Sequence, residues 1–135
     1  MAAISHIASG LRQQAQDRCE YCHFPISFAE LPFQVDHIIA KKHGGATEPT
    51  NPALACFYCN SYKGPNIAGI DPQTNEIVRL FHPRKDKWAY HFQWENATLS
   101  GLTPVGRATI QVLGINHPNA VTVRESLMRE GVFPA

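Results

Sequence analysis

The chain has 135 residues, 44% of them hydrophobic, which is enough for a packed core and excludes an intrinsically disordered chain. Its formal net charge of +1 excludes a globally basic nucleic-acid binder, so any such surface has to be local. No apolar run reaches the length of a membrane span. The Met1-Ala2-Ala3 start lacks a charged segment ahead of an apolar one, and the expectation is a soluble, unsecreted, cytoplasmic protein.

Ile4, Ile7, Ala8, Leu11 and Ala15 recur three or four residues apart, which predicts an amphipathic helix over residues 4–17 with Arg12, Gln13, Gln16 and Asp17 outside. It leads into Cys19-Glu20-Tyr21-Cys22. Prolines at 25 and 32 then break regular structure, and the alternation from Phe33 to Ile38 predicts a short strand. Asp36 and His37 fall at or near its end and project to opposite sides. In the loop Lys41-Lys42-His43-Gly44-Gly45 the glycines allow conformations closed to other residues, and the two lysines stand where phosphate can be met. Asn51-Pro52 reads as a helix start, with asparagine as the N-cap and a helix from Pro52 to Lys63 closed by Gly64. That helix carries the second pair, Cys56-Phe57-Tyr58-Cys59, and places Asn60 and Lys63 on one face.

Beyond Pro65, residues 67–70 and 76–81 read as a hairpin around Asp71-Pro72-Gln73-Thr74-Asn75. Arg84, Lys85 and Lys87 form a small basic cluster beside Trp88. Tyr90-His91-Phe92-Gln93-Trp94 alternates like a strand. Thr103-Pro104 starts a helix running to about Leu113, and Asn119 caps a last helix that ends before Gly131, with Val123, Leu127 and Met128 inward.

Two Cys-x-x-Cys pairs suit one tetrahedral zinc, because each short turn aims two thiolates at a single point. Without a secretion signal that reading is preferred to two disulfides. Between the pairs lie groups with a different chemistry. Asp36 offers a hard carboxylate oxygen and Asn60 a neutral carbonyl oxygen, a set that suits Mg²⁺. A neutral His37 imidazole beside that ion is placed to take a proton from water, and Lys63 to contact a neighbouring phosphate.

These residues resemble the HNH nuclease family through Cys19-x-x-Cys22, Asp36-His37-Ile38, Gly44-Gly45, Asn51, Cys56-x-x-Cys59-Asn60 and Lys63-Gly64. The resemblance implies an α+β fold: a ββα-metal finger with a structural four-cysteine zinc site at Cys19, Cys22, Cys56 and Cys59, an N-terminal helix, and a C-terminal extension of a hairpin and helices. Residues 1–65 would form the nuclease core and 66–135 an extension packed on it. It further implies His37 as the general base, Asp36 and Asn60 as ligands of a catalytic Mg²⁺ or Mn²⁺, and Asn51 as a brace that orients His37. The products would carry a 5′-phosphate and a 3′-hydroxyl. Two positions depart from the pattern: Ala40 stands where many members have proline, and Asn60 where others have histidine.

The second half resembles the tail of small bacterial HNH proteins through Phe81-His82-Pro83-Arg84, His91-Phe92-Gln93-Trp94 and Gly101-Leu102-Thr103-Pro104-x-Gly106-Arg107-Ala108-Thr109. A packing role for this tail is weighed above one in which Arg84, Lys85, Lys87 and Arg107 join Lys41, Lys42 and Lys63 on a nucleic-acid backbone. The expected function is a metal-dependent endonuclease acting on DNA by nicking or, where a homodimer brings two sites together, by double-strand cleavage. The alternative is a zinc-stabilised nucleic-acid-binding module without catalysis. A zinc-knuckle protein-interaction domain explains the cysteines but not Asp36, His37, Asn51 and Asn60.

Overall fold

The computed structural model describes residues 8–46, 48 and 50–134. Ile4, Ile7 and His6 of the expected first helix lie outside them. The observed helix α1 runs Ala8–Ala15 and buries Leu11 and Ala15, as the spacing requires. Strand β1, Gln34–His37, pairs antiparallel with β2, Pro52–Ala55, and helix α2, Phe57–Lys63, packs on both. This is the ββα unit, within a mixed α+β architecture of short helices and, among the described residues, three two-stranded antiparallel sheets.

The expected helix from Pro52 is corrected here. Pro52 to Ala55 form a strand buried at every position, and only Phe57 to Lys63 are helical. An apolar Pro-Ala-Leu-Ala run covered on both faces gains more by pairing with β1 than by extending α2. Proline costs little as the first residue of a strand. Asn51 is not an N-cap. Cys56 fills that role, its sulfur accepting from the Cys59 amide at 3.4 Å.

The extension begins with the hairpin of β3, Ala68–Ile70, and β4, Ile77–Arg79, in the expected place. A single helical turn α3, Trp88–His91, then runs into β5, Phe92–Glu95, paired with β6, Thr98–Gly101. The expected strand at Tyr90 is thus corrected to a helical turn at its first two residues, and β6 carries no alternation that announces it. Helix α4, Pro104–Val112, is capped by Thr103, whose hydroxyl accepts from the Gly106 amide at 3.0 Å. Helix α5, Pro118–Arg129, starts after His117 rather than Asn119. Val123, expected inside, is exposed, and Arg124 takes the inner position. Its guanidinium donates to the Ala97 and Ile115 carbonyls at 2.8 and 3.0 Å and lies 5.2 Å from the Trp94 ring, so the buried charge is satisfied.

The buried core is continuous from Leu11 through both cysteine pairs and Leu54 to Leu80, Phe92, Leu113 and Ile115. Among the described residues no helix is long and apolar enough to cross a membrane.

Asp71 ties the β3–β4 turn to α4. Its carboxylate accepts from the Gln73 amide and the Thr74 hydroxyl, both at 3.0 Å, and from Arg107 through Nε and Nη2, both at 2.9 Å. Arg107 first, then the amide and hydroxyl, holds this carboxyl far below its ordinary value of 3.8 despite opposing burial. A depressed folded-state pKa means that the unfolded chain binds the proton first as pH falls, so the stabilisation is full above the ordinary value and is lost in acid. The melting-temperature gap between wild type and Asp71→Asn should therefore hold at neutral pH and shrink from about pH 4 towards pH 2. A gap that is constant across that range contradicts this role.

Candidate metal centres and the strand-end histidine

The cysteine sulfurs are assembled by two matching turns. The Cys22 amide points at Cys19 Sγ at 3.5 Å and the Cys59 amide at Cys56 Sγ at 3.4 Å, so each turn presents its thiols in the same way. All four sulfurs lie within 4.8 Å of one another, and Cys22 Sγ is 3.8 Å from Cys56 Sγ. A tetrahedral zinc with Zn–S bonds of about 2.3 Å sets sulfurs about 3.8 Å apart, so the cluster is positioned to hold zinc. Cys56 is held well below the usual thiol range by hydrogen bonds from Cys19, Cys22 and Cys59. Within the same cluster Cys22 and Cys59 are pushed up, chiefly through Cys19. Loading zinc would therefore release protons from the thiols that remain.

The first knuckle also docks on the β-hairpin. The Glu20 amide donates to the Leu54 carbonyl at 2.9 Å, and Glu20 Oε2 accepts from the Leu54 amide at 2.7 Å. Tyr21, fully buried, donates its hydroxyl to Asp36 Oδ2 at 2.6 Å. Burial first, then the charge on Asp36, pushes this phenol well above its ordinary range, so it stays protonated and donates.

Helix α2 lies across the face of β1 that carries Gln34 and Asp36. Asn60 Nδ2 donates to Gln34 Oε1 at 3.4 Å, and Lys63 Nζ lies 3.4 and 3.3 Å from the two Asp36 oxygens. Asn60 Oδ1 is buried and accepts no hydrogen bond among the described residues. Buried carbonyls without a partner are rare, and an absent ion is one of the few explanations for them. Asp36 Oδ2 and Asn60 Oδ1 are both hard oxygen donors. A carboxylate has about four acceptor positions, so the bonds from Tyr21 and Lys63 leave room for a cation.

His37 closes β1 opposite Pro52 and is half-buried. The chain then turns through Ile38 and Ile39. Asn51 clamps that turn: its Oδ1 accepts from the Ile39 amide at 2.9 Å, and its Nδ2 donates to the carbonyls of Ile39 at 3.0 Å and Ala46 at 2.6 Å. Gly44 adopts a φ of 89°, and a Cβ on Gly45 would come within 1.7 Å of the Ile39 oxygen, so the loop requires this glycine pair. Lys41, Lys42 and His43 stand exposed on it.

Three cations expected on a nucleic-acid backbone are turned inward. Lys63 is 1% exposed, with its ammonium on Asp36 and on the Ile38 carbonyl at 2.9 Å. Arg84 is ion-paired with Glu20, with both side chains only 10% exposed, and Arg107 is committed to Asp71. Each of these charges has an ion-pair partner inside the fold. Lys85 and Lys87 are exposed, like Lys41 and Lys42.

Sequence reasoning passed over Tyr21 and Gln34. Gln34 had a signal, because it lies two residues before Asp36 on the same strand face, opposite two helical positions three apart. Tyr21 had none beyond its place inside the first Cys-x-x-Cys.

Residues 19–66 match the HNH endonuclease family. No curated protein and no solved structure matches the chain.

Cys56 is both a member of the cluster and the cap of α2. Cys56→Ser should abolish zinc retention, measured by elemental analysis, and lower stability by on the order of 10 kcal/mol, enough to unfold the domain. A mutant that keeps its melting temperature without zinc would contradict a structural metal.

Proposed function

We propose that the HNH endonuclease domain at residues 19–66 hydrolyses DNA phosphodiester bonds with the help of a divalent cation. The observation that carries this reading is the buried, unpartnered Asn60 carbonyl on the helix that also reaches Asp36, one residue from His37. Asp36 and Asn60 would hold the ion, and two hard oxygen donors favour Mg²⁺ or Mn²⁺ over softer metals. When bound, such an ion stabilises charge on the phosphate and on the leaving oxygen.

The chain's own groups divide the remaining work. His37 takes a proton from the water that attacks the phosphorus in line, leaving a 5′-phosphate and a 3′-hydroxyl. Asn51 holds the turn after His37 by three hydrogen bonds and so limits how far the imidazole can drift. Lys63 offsets part of the Asp36 charge from the buried side. Lys41 and Lys42 in the loop after His37, with Lys85 and Lys87 of the extension, contact backbone phosphates. One site cuts one strand at a time, so a monomer nicks, and a homodimer would bring together the two sites that paired cuts usually need.

A second reading is a zinc-stabilised nucleic-acid-binding module without catalysis. It draws on Asp36, which is 1% exposed and already engaged by Tyr21 and Lys63.

Supercoiled plasmid separates the two. The zinc-loaded protein should nick it with Mg²⁺ or Mn²⁺ and not in chelator. His37→Ala should retain zinc and fold while losing about 10²–10⁴-fold in rate. Equal cleavage by both proteins removes His37 as the base. No cleavage by the folded, zinc-loaded wild type favours the binding module.

A further inference from the structure

Tyr21 sits between two zinc-knuckle cysteines, and it is held at both its backbone and its ring. Its backbone carbonyl accepts from Trp88 Nε1 at 2.8 Å, and its ring meets the edge of Phe81 with centroids 6.4 Å apart. Phenylalanine would fill the same volume, so packing does not account for the hydroxyl. The hydroxyl spans 15 residues of sequence to reach Asp36 Oδ2 at 2.6 Å, the short range of a hydrogen bond to an ionised oxygen. With Lys63 near both Asp36 oxygens and the phenol on Oδ2, the carboxylate plane is held by two donors from different elements.

We propose that Tyr21 is a positioning residue for Asp36, orienting the carboxylate to receive the catalytic divalent cation and linking that site to the zinc knuckle. The inference rests on the reading of Asp36 as a ligand of that cation. Hydrogen-bond partners behind a metal ligand restrict its rotamers and tune its basicity, and removing one typically weakens binding about 10–100-fold. Because Tyr21 lies between Cys19 and Cys22, its place depends on the knuckle being closed. Loss of zinc would therefore reach the catalytic carboxylate through Tyr21 as well as through the Cys56-capped helix that carries Lys63.

The test compares zinc-loaded wild type with Tyr21→Phe, using free Mn²⁺ measured by electron paramagnetic resonance beside plasmid nicking. Tyr58→Phe, on the exposed side of α2, is the control and should match wild type. Tyr21→Phe should retain its zinc and bind Mn²⁺ about 10–100-fold more weakly, with nicking recovered as Mn²⁺ is raised. Mn²⁺ affinity within twofold of wild type, in a protein that still cuts, overturns the positioning role and leaves the nuclease reading intact. Wild type that binds no Mn²⁺ overturns both. Should Tyr21→Phe fail to fold, the wild-type protein labelled with ¹³Cζ-tyrosine decides. Of its four tyrosine resonances, that of Tyr21 should shift on titration with Mg²⁺ while those of Tyr58, Tyr62 and Tyr90 stay. A Tyr21 resonance unmoved at saturating Mg²⁺ overturns the proposal.

Discussion

Four sulfurs within 4.8 Å of one another join the N-terminal knuckle to the head of α2, and the rest of the finger is arranged around that junction. Helix α2 has only seven residues, well below the length at which a helix persists in water on its own. It is held at its start by Cys56, which caps it and belongs to the cluster, and near its end by Lys63 on Asp36. A metal bound by the four thiolates contributes folding free energy directly. Such a metal would fix at once the start of α2, the position of Glu20 on β2, and the reach of Tyr21 to β1. The geometry around Asp36 and Asn60 thus depends on chemistry that takes place at a separate set of ligands.

The extension supports the same junction from the other side. Arg84 pairs with Glu20, Trp88 donates to the Tyr21 carbonyl and stacks on His23 at 3.9 Å, and Phe81 meets the Tyr21 ring. These contacts account for the Phe-His-Pro-Arg segment and the following tryptophan without giving them chemistry. The buried Lys63–Asp36 pair is of another kind. An ion pair in a core gains little over apolar packing once desolvation is counted. Its position one residue from His37 is better explained by what it does to the charge and orientation of Asp36.

Much of this was legible in the residues. The cysteine spacing indicated a single tetrahedral site, the alternation from Phe33 to Ile38 indicated β1, and Thr103-Pro104 marked the start of α4. Strand β2 was hidden because Asn51-Pro52 carries a strong local helix signal. Pairing with β1, a contact between segments far apart in sequence, overrode it. Lys63, Arg84 and Arg107 read as surface cations because charge is exposed by default. Their partners Asp36, Glu20 and Asp71 lie 27, 64 and 36 residues away, beyond the reach of any local pattern. Arg124 misled in the same way: helical periodicity favours Val123 as the buried residue, and three oxygen acceptors from the β6 and α4 ends reverse the choice.

In the proposed mechanism one small finger separates two metals by ligand chemistry, sulfur for the fold and oxygen for the reaction. Element-resolved anomalous diffraction from crystals grown with Mn²⁺ and a short DNA duplex tests it most directly. The account predicts a zinc-edge peak enclosed by Cys19, Cys22, Cys56 and Cys59, and a separate manganese peak bounded by Asp36, Asn60 and a phosphate. Manganese absent from Asp36 and Asn60 while DNA is bound would contradict it.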